Sequence, residues 1–236
     1  GRPLRVAVST RGLAGGADAQ VAGAVHDAAA LLSAMGHAVD AAEPALDGQG
    51  LSAALGVLWC YLGGDAADAV AAANPGTSLD ELIEPWTTGL AARRALIAPQ
   101  QVADAWIALA RADRAMAAFH ARWDVMLSPV APTPAPPLGA LAPTRAFDEL
   151  WAAFFGHASF TPVQNITGQP SISLPLGRSG EGLPIGVMAS AARGGDDLLL
   201  ALAADIEAAA PWADRWPPAT AARLGIGIGA GIGAAA

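Results

Sequence analysis

Apolar positions along the chain fall into two rhythms, one suited to strands and one to helices. Leu4-Arg5-Val6-Ala7-Val8 alternates and predicts a short strand, while Val21, Val25, Ala28 and Leu32 share one helical face between Ala17 and Met35. Gly36 is a stop signal for that helix. His37-Ala38-Val39-Asp40 reads as a second short strand, so residues 1–42 have the pattern of a β-α-β unit in an α/β domain. From Leu51 to about Trp123 the chain is alanine-rich and punctuated at Asn74-Pro75-Gly76, Pro85 and Pro99, a spacing that predicts three or four helices.

The texture changes at Asp124. Val125-Met126-Leu127 predicts a short buried strand, and the run Ser128-Pro129-Val130-Ala131-Pro132-Thr133-Pro134 predicts a loop, because fixed proline φ angles prevent helix. Phe147–Phe155 is aromatic and predicted helical. Ser171–Leu176 and Pro184–Met188 read as strands joined by the turn-rich Gly177–Gly182, a hairpin. Asp196 and Asp197 stand where an N-cap and a first-turn acid belong for a helix over Leu198–Ala209, which ends before Pro211. Beyond about Pro218 the chain is low in complexity, with Gly225-Ile226-Gly227-Ile228-Gly229-Ala230, and a disordered tail over 219–236 is expected.

Composition narrows the function classes. With 236 residues, 53% hydrophobic and 14% charged, the chain is long enough for a full core. Its mean hydropathy of +0.39 reflects alanine. Asp205 and Glu207 interrupt the most apolar stretch, Leu198–Ala210, so a soluble protein with no membrane partner is expected. Thirteen basic against 21 acidic residues give a net charge of -8, with no basic cluster beyond Arg93-Arg94, which argues against nucleic acid as a partner. Cys60 is the single cysteine, so an intramolecular disulfide is impossible and a reducing, cytoplasmic location is expected. The four histidines, His26, His37, His120 and His157, lack metal-ligand spacing. The chain opens on Gly1 rather than methionine and leads directly into a strand, as if begun inside a longer gene.

Three blocks carry a family resemblance: Asp124 to Pro136, Phe160-Thr161-Pro162-Val163-Gln164-Asn165-Ile166-Thr167-Gly168-Gln169-Pro170 continuing to Pro175, and Gly182-Leu183-Pro184-Ile185-Gly186-Val187-Met188. In this order they resemble the C-terminal half of amidase-signature enzymes, and the likeness extends over roughly residues 1–218. The resemblance implies an α/β fold, a mixed β-sheet flanked by helices, and hydrolysis of a carboxamide C–N bond through an acyl-enzyme without metal or organic cofactor. In that family a serine is activated through a second serine by a lysine, because a hydroxyl near its free pKa is a weak nucleophile. Here all 13 basic residues are arginine, which stays protonated and cannot act as the base, and no Gly-Gly-Ser-Ser-Gly-Gly-like stretch exists.

The resemblance therefore implies a substrate-pocket portion that is inactive without an N-terminal half carrying the Ser-Ser-Lys triad. Its implied partners are a small-molecule amide and that N-terminal half, with self-association through unpaired strand edges as a further expectation. Asn165 and Phe160 fall in the block that approaches the acyl pocket, although Asn165 equally suits the backbone of the turn at Thr167–Pro170. Cys60 matches a substrate-facing cysteine in the branch resembling hydrolases of the 6-aminohexanoate cyclic dimer, although a lone cysteine on an apolar helix also reads as core. His157 is a weaker candidate for a pocket wall, and His26 and His120 read as solvated. Trp59, Trp86, Trp106, Trp123 and Trp151 with Phe154 and Phe155 read as core or as an aromatic pocket wall. Two other readings stand beside the enzyme portion: a non-catalytic binding or scaffold subunit, and a stand-alone hydrolase with Cys60 as nucleophile.

Overall fold

The computed structural model describes residues 2–216; the tail expected over 219–236 lies outside the described residues. The elements in chain order are β1 (Arg5–Val8), β2 (Arg11–Gly12), β3 (Gly15–Gly16), α1 (Ala19–Ala34), β4 (Ala38–Ala41) and α2 (Gly48–Ala73). A 3₁₀ turn at Leu79–Glu81 leads to α3 (Pro85–Arg94) and α4 (Pro99–His120). Then follow β5 (Val125–Pro129), α5 (Phe147–His157), α6 (Pro162–Thr167), β6 (Ser171–Arg178), β7 (Pro184–Ala191) and α7 (Asp196–Ala209).

The main sheet has the order β4-β1-β5-β7-β6. β1 runs parallel to β4 and β5, whereas β7 is antiparallel to both β5 and β6, so the sheet is mixed. Strand side chains alternate between the two faces. Val6, Val125 and Leu127 enter one core with Val21, Val25 and Leu32 of α1 and Leu199, Leu202 and Ile206 of α7. Ala7 and Met126 enter the other with Leu51 of α2, Met116 and Phe119 of α4 and Val163 of α6. Both faces of β1 and β5 are thus covered, which is why the run from Val125 to Leu127 is continuously apolar.

Several local expectations are corrected. Ser128 and Pro129 are not loop: they extend β5 and pair with Met188 and Val187, because a proline at the end of a strand removes only one donor. Pro85 and Pro99 do not merely separate helices; each is the first residue of one, where its missing N–H costs nothing. The N-cap of α7 is Gly195, and Asp196 with Asp197 occupies the first turn. The hairpin forms as expected, with β6 longer by two residues and a bulge between Leu174 and Gly177 that accommodates Pro175 on an edge strand. The two-residue ribbon β2–β3 has no counterpart in the sequence reading.

The caps follow from sequence. Asp18 accepts the N–H groups of Gln20 and Val21 at 2.8 and 3.1 Å, and Asp47 accepts that of Gly50 at 3.0 Å. A different kind of clasp joins the start of β1 to the start of β5. The Asp124 carboxylate, whose side chain is 8% exposed, accepts from the Arg2 and Arg5 guanidinium groups and from the Arg5 backbone N–H at 2.7 Å. These donors, Arg2 foremost and then Arg5, hold the carboxyl well below the usual carboxylate range against the opposing effect of burial. A depressed folded pKa contributes stability that is complete above the unfolded value of about 3.9 and is lost as pH falls through the folded value. Asp124→Asn is therefore expected to lower the melting temperature by about 3–6 °C at neutral pH. The gap between the two proteins should narrow in melts taken at progressively lower pH below about 4.

Candidate functional site

Two adjoining cavities open beside the sheet and share Leu13, which lies between β2 and β3. The first, of about 330 Å³, lies at the carboxyl ends of the parallel strands β1 and β5, where open α/β sheets hold their ligands. Ser9 follows β1 directly, Ser128 belongs to β5, and Ser159, Phe160 and Gln164 come from the segment entering α6. Met116 and Met126 form its floor. The ribbon β2–β3 presses onto the Ser159 backbone, with the Leu13 N–H donating to the Ser159 carbonyl at 2.8 Å. A Cβ at Gly12 would come within 2.7 Å of that same oxygen, so this approach requires glycine.

The second cavity, of about 530 Å³, lies between α2, α3, α5 and the start of α4. Gly56 and Cys60, one turn apart on α2, face it together with Arg93, Trp151 and Phe155. Its aromatic wall is Trp151 and Phe155, with ring centroids 4.6 Å apart; Phe147 and Phe154 pack on these two, and Trp86 lies 5.3 Å from both Phe147 and Phe154. The Arg93 guanidinium stacks 4.5 Å from the Trp151 ring and 5.0 Å from that of Phe147, and bonds Asp148 at 2.9 Å. This arrangement fixes a cation against an apolar wall.

The three candidate residues are not brought together. Phe160, buried, lines the polar cavity; Cys60, 1% exposed, lines the aromatic one; Asn165 lies on the exposed face of α6 and lines neither. The turn after α6 is closed by the Gln169 N–H donating to the Gln164 carbonyl at 3.1 Å and by Gly168 in the left-handed conformation at φ 65°. Burial pushes the Cys60 thiol up, with Arg93 acting weakly in the opposite sense. None of the four histidines lines its cavity. His120, read as solvated, is buried: it packs edge-on against Phe119, and its Nδ1 meets the Trp123 carbonyl at 3.2 Å. That burial lowers its pKa. Trp106 lines neither cavity and is 60% exposed on α4. Among the described residues no three His, Cys, Asp or Glu side chains converge.

Sequence reasoning missed Gln164, Ser159 and Arg93. A signal for Gln164 existed: with Pro162 as first residue and Gly168 as cap, helical phase turns Val163, Gln164 and Thr167 inward and Asn165 outward.

A sequence profile of the amidase family matches residues 1–200. This chain belongs to the amidase family. The solved structure of 6-aminohexanoate cyclic dimer hydrolase complexed with substrate superimposes with a TM-score of 0.80 at 30% identity, over 92% of this chain and 47% of that one. The 6-aminohexanoate-cyclic-dimer hydrolase of Pseudomonas sp. (strain NK87) is 39% identical over 105 residues, 42% of this chain and 21% of the relative. AmiC of Mycobacterium leprae (strain TN) is 43% identical over 105 residues, 44% of this chain and 22% of the relative. The chain thus spans just under half of the solved hydrolase it matches.

Proposed function

We propose that this chain is the substrate-pocket portion of an amidase that hydrolyses a non-peptide carboxamide C–N bond, working with an N-terminal portion that carries the Ser-Ser-Lys triad. One observation carries the reading: the cavities offer binding surface without a nucleophile–base pair. Ser9, Ser128 and Ser159 lack a lysine or histidine among the residues lining their cavity, and Cys60 lacks a histidine, aspartate or glutamate among those lining its own. The sequence contains no lysine to serve as base. A serine hydroxyl or a buried thiol with a raised pKa is a poor nucleophile unaided. The length of the matched hydrolase accommodates the missing machinery, since more than half of that chain lies outside the match.

The test is amine release from a simple aliphatic or aryl amide, first by this chain alone and then by the chain mixed with the N-terminal half of an amidase. Hydrolysis is expected only in the mixture. Turnover by the chain alone would overturn the proposal and direct attention to Cys60, with Cys60→Ala as the deciding variant. Amide binding without turnover in any mixture would instead identify a non-catalytic binding subunit.

A further inference from the structure

The polar cavity is chemically unlike its neighbour. Four of its polar side chains are more than nine-tenths buried: Ser9, Ser128, Ser159 and Gln164, at 4, 1, 2 and 5% exposure. Two of the serines are engaged locally, Ser9 Oγ accepting the Arg11 N–H at 3.2 Å and Ser128 Oγ donating to the Pro129 carbonyl at 3.3 Å. Gln164 Oε1 is enclosed and has no hydrogen-bond partner among the described residues. Buried carboxamide groups are ordinarily satisfied, so a glutamine left unpaired on a cavity wall points to a partner that the folded chain does not itself supply.

The lining also specifies what that partner is. Its ionisable groups, Arg11 and Glu43, are both exposed, and the buried lining carries no charge. An ion entering it would lose water without gaining a buried counter-charge, whereas a neutral group with donor and acceptor side by side would lose little. A carboxamide has that arrangement. Its C=O would accept from the Gln164 Nε2–H, and its N–H would donate to Gln164 Oε1 once the side-chain amide turns that enclosed atom towards the cavity. The two cavities adjoin at Leu13, which places the apolar wall of Trp151 and Phe155 on the side where a substituent of the same molecule would lie.

We propose that Gln164 is the substrate-recognition residue of the polar cavity, holding a neutral carboxamide while the aromatic cavity takes the apolar substituent of the same molecule. The assignment rests on the amide-hydrolase reading for its substrate class, but the binding step is testable separately. Hexanamide and hexanoate, matched in chain length, are titrated into the chain and followed by ligand-observed NMR and calorimetry. Hexanamide should bind at least about tenfold more tightly than hexanoate, and Gln164→Leu should weaken hexanamide by about tenfold. Gln164→Glu, nearly identical in shape, removes the amide donor. It should weaken hexanamide by a similar factor although the shape of the side chain is kept. Equal binding of the two probes, no binding of hexanamide, or unchanged affinity in both variants would overturn the assignment. In the reconstituted mixture the two proposals separate: hydrolysis with unchanged KM in Gln164→Glu removes the role of Gln164 and leaves the amidase reading. Hexanamide binding that depends on Gln164, with no hydrolysis in any mixture, does the reverse.

Discussion

Leu127→Ala is expected to lower the unfolding free energy by about 3 kcal/mol, because it deletes a buried side chain from a site that cannot collapse around the gap. Leu127 is 1% exposed on β5, the strand held between β1 and β7 at the centre of the sheet. It packs in the core shared by α1 and α7, so both helices lose contacts at once. For a folded unit of this size the loss corresponds to a fall in melting temperature of about 6–12 °C. Leu200→Ala on α7 is the matched control: Leu200 is 63% exposed, and its replacement should change stability by less than about 0.5 kcal/mol. Thermal and denaturant melts of the two variants check both figures. Comparable losses would mean that the β5 core is not the one described.

Trp151→Ala should act on stability and on the aromatic cavity together. Its ring contacts Trp86, Phe147 and Phe155, supports the Arg93 guanidinium, and lies over Gly56, where an added Cβ would sit 2.9 Å from the indole. Trp151 is only half-buried, so the loss is set towards the lower end for aromatic truncations, about 2–3 kcal/mol. Cys60 lines the same cavity, so removing the indole widens that cavity beside the thiol. The thiol should then react about tenfold faster with a disulfide reagent at neutral pH, since access and thiolate fraction both rise. Trp151→Phe keeps an aromatic cover and should restore most of the protection. An unchanged labelling rate in Trp151→Ala would show that Trp151 does not shield Cys60. This readout is independent of amide hydrolysis.

These predictions place Leu127 and Trp151 in different parts of the molecule, and the two parts were unequally legible. The strand at β1, the face of α1, the start of β4 and the β6–β7 hairpin follow from spacing alone. A two-residue or 3.6-residue repeat is a local property that the core then exploits. The family blocks likewise stand in the sequence in order. The division of the aromatic residues did not. Trp86 and Trp151 meet across α3 and α5 and Trp59 of α2 packs on Phe154 while still 37% exposed, whereas Trp106 on α4 faces outward at 60% exposure. His120 is similar: followed by Ala121 and Arg122 it has the sequence of a solvated helix end, and it is buried because the chain turns there into β5.

By itself, then, the sequence determined the α/β class, the order of the main strands and longer helices, and the absence of lysine, all of which depend on residue identity or local period. The tertiary structure decided that Phe160 and Cys60 line separate cavities that share Leu13 and that Arg93 lies against Trp151. The reason is physical. Which side chains converge depends on contacts between segments distant in the chain, and these leave no mark on the residues nearby.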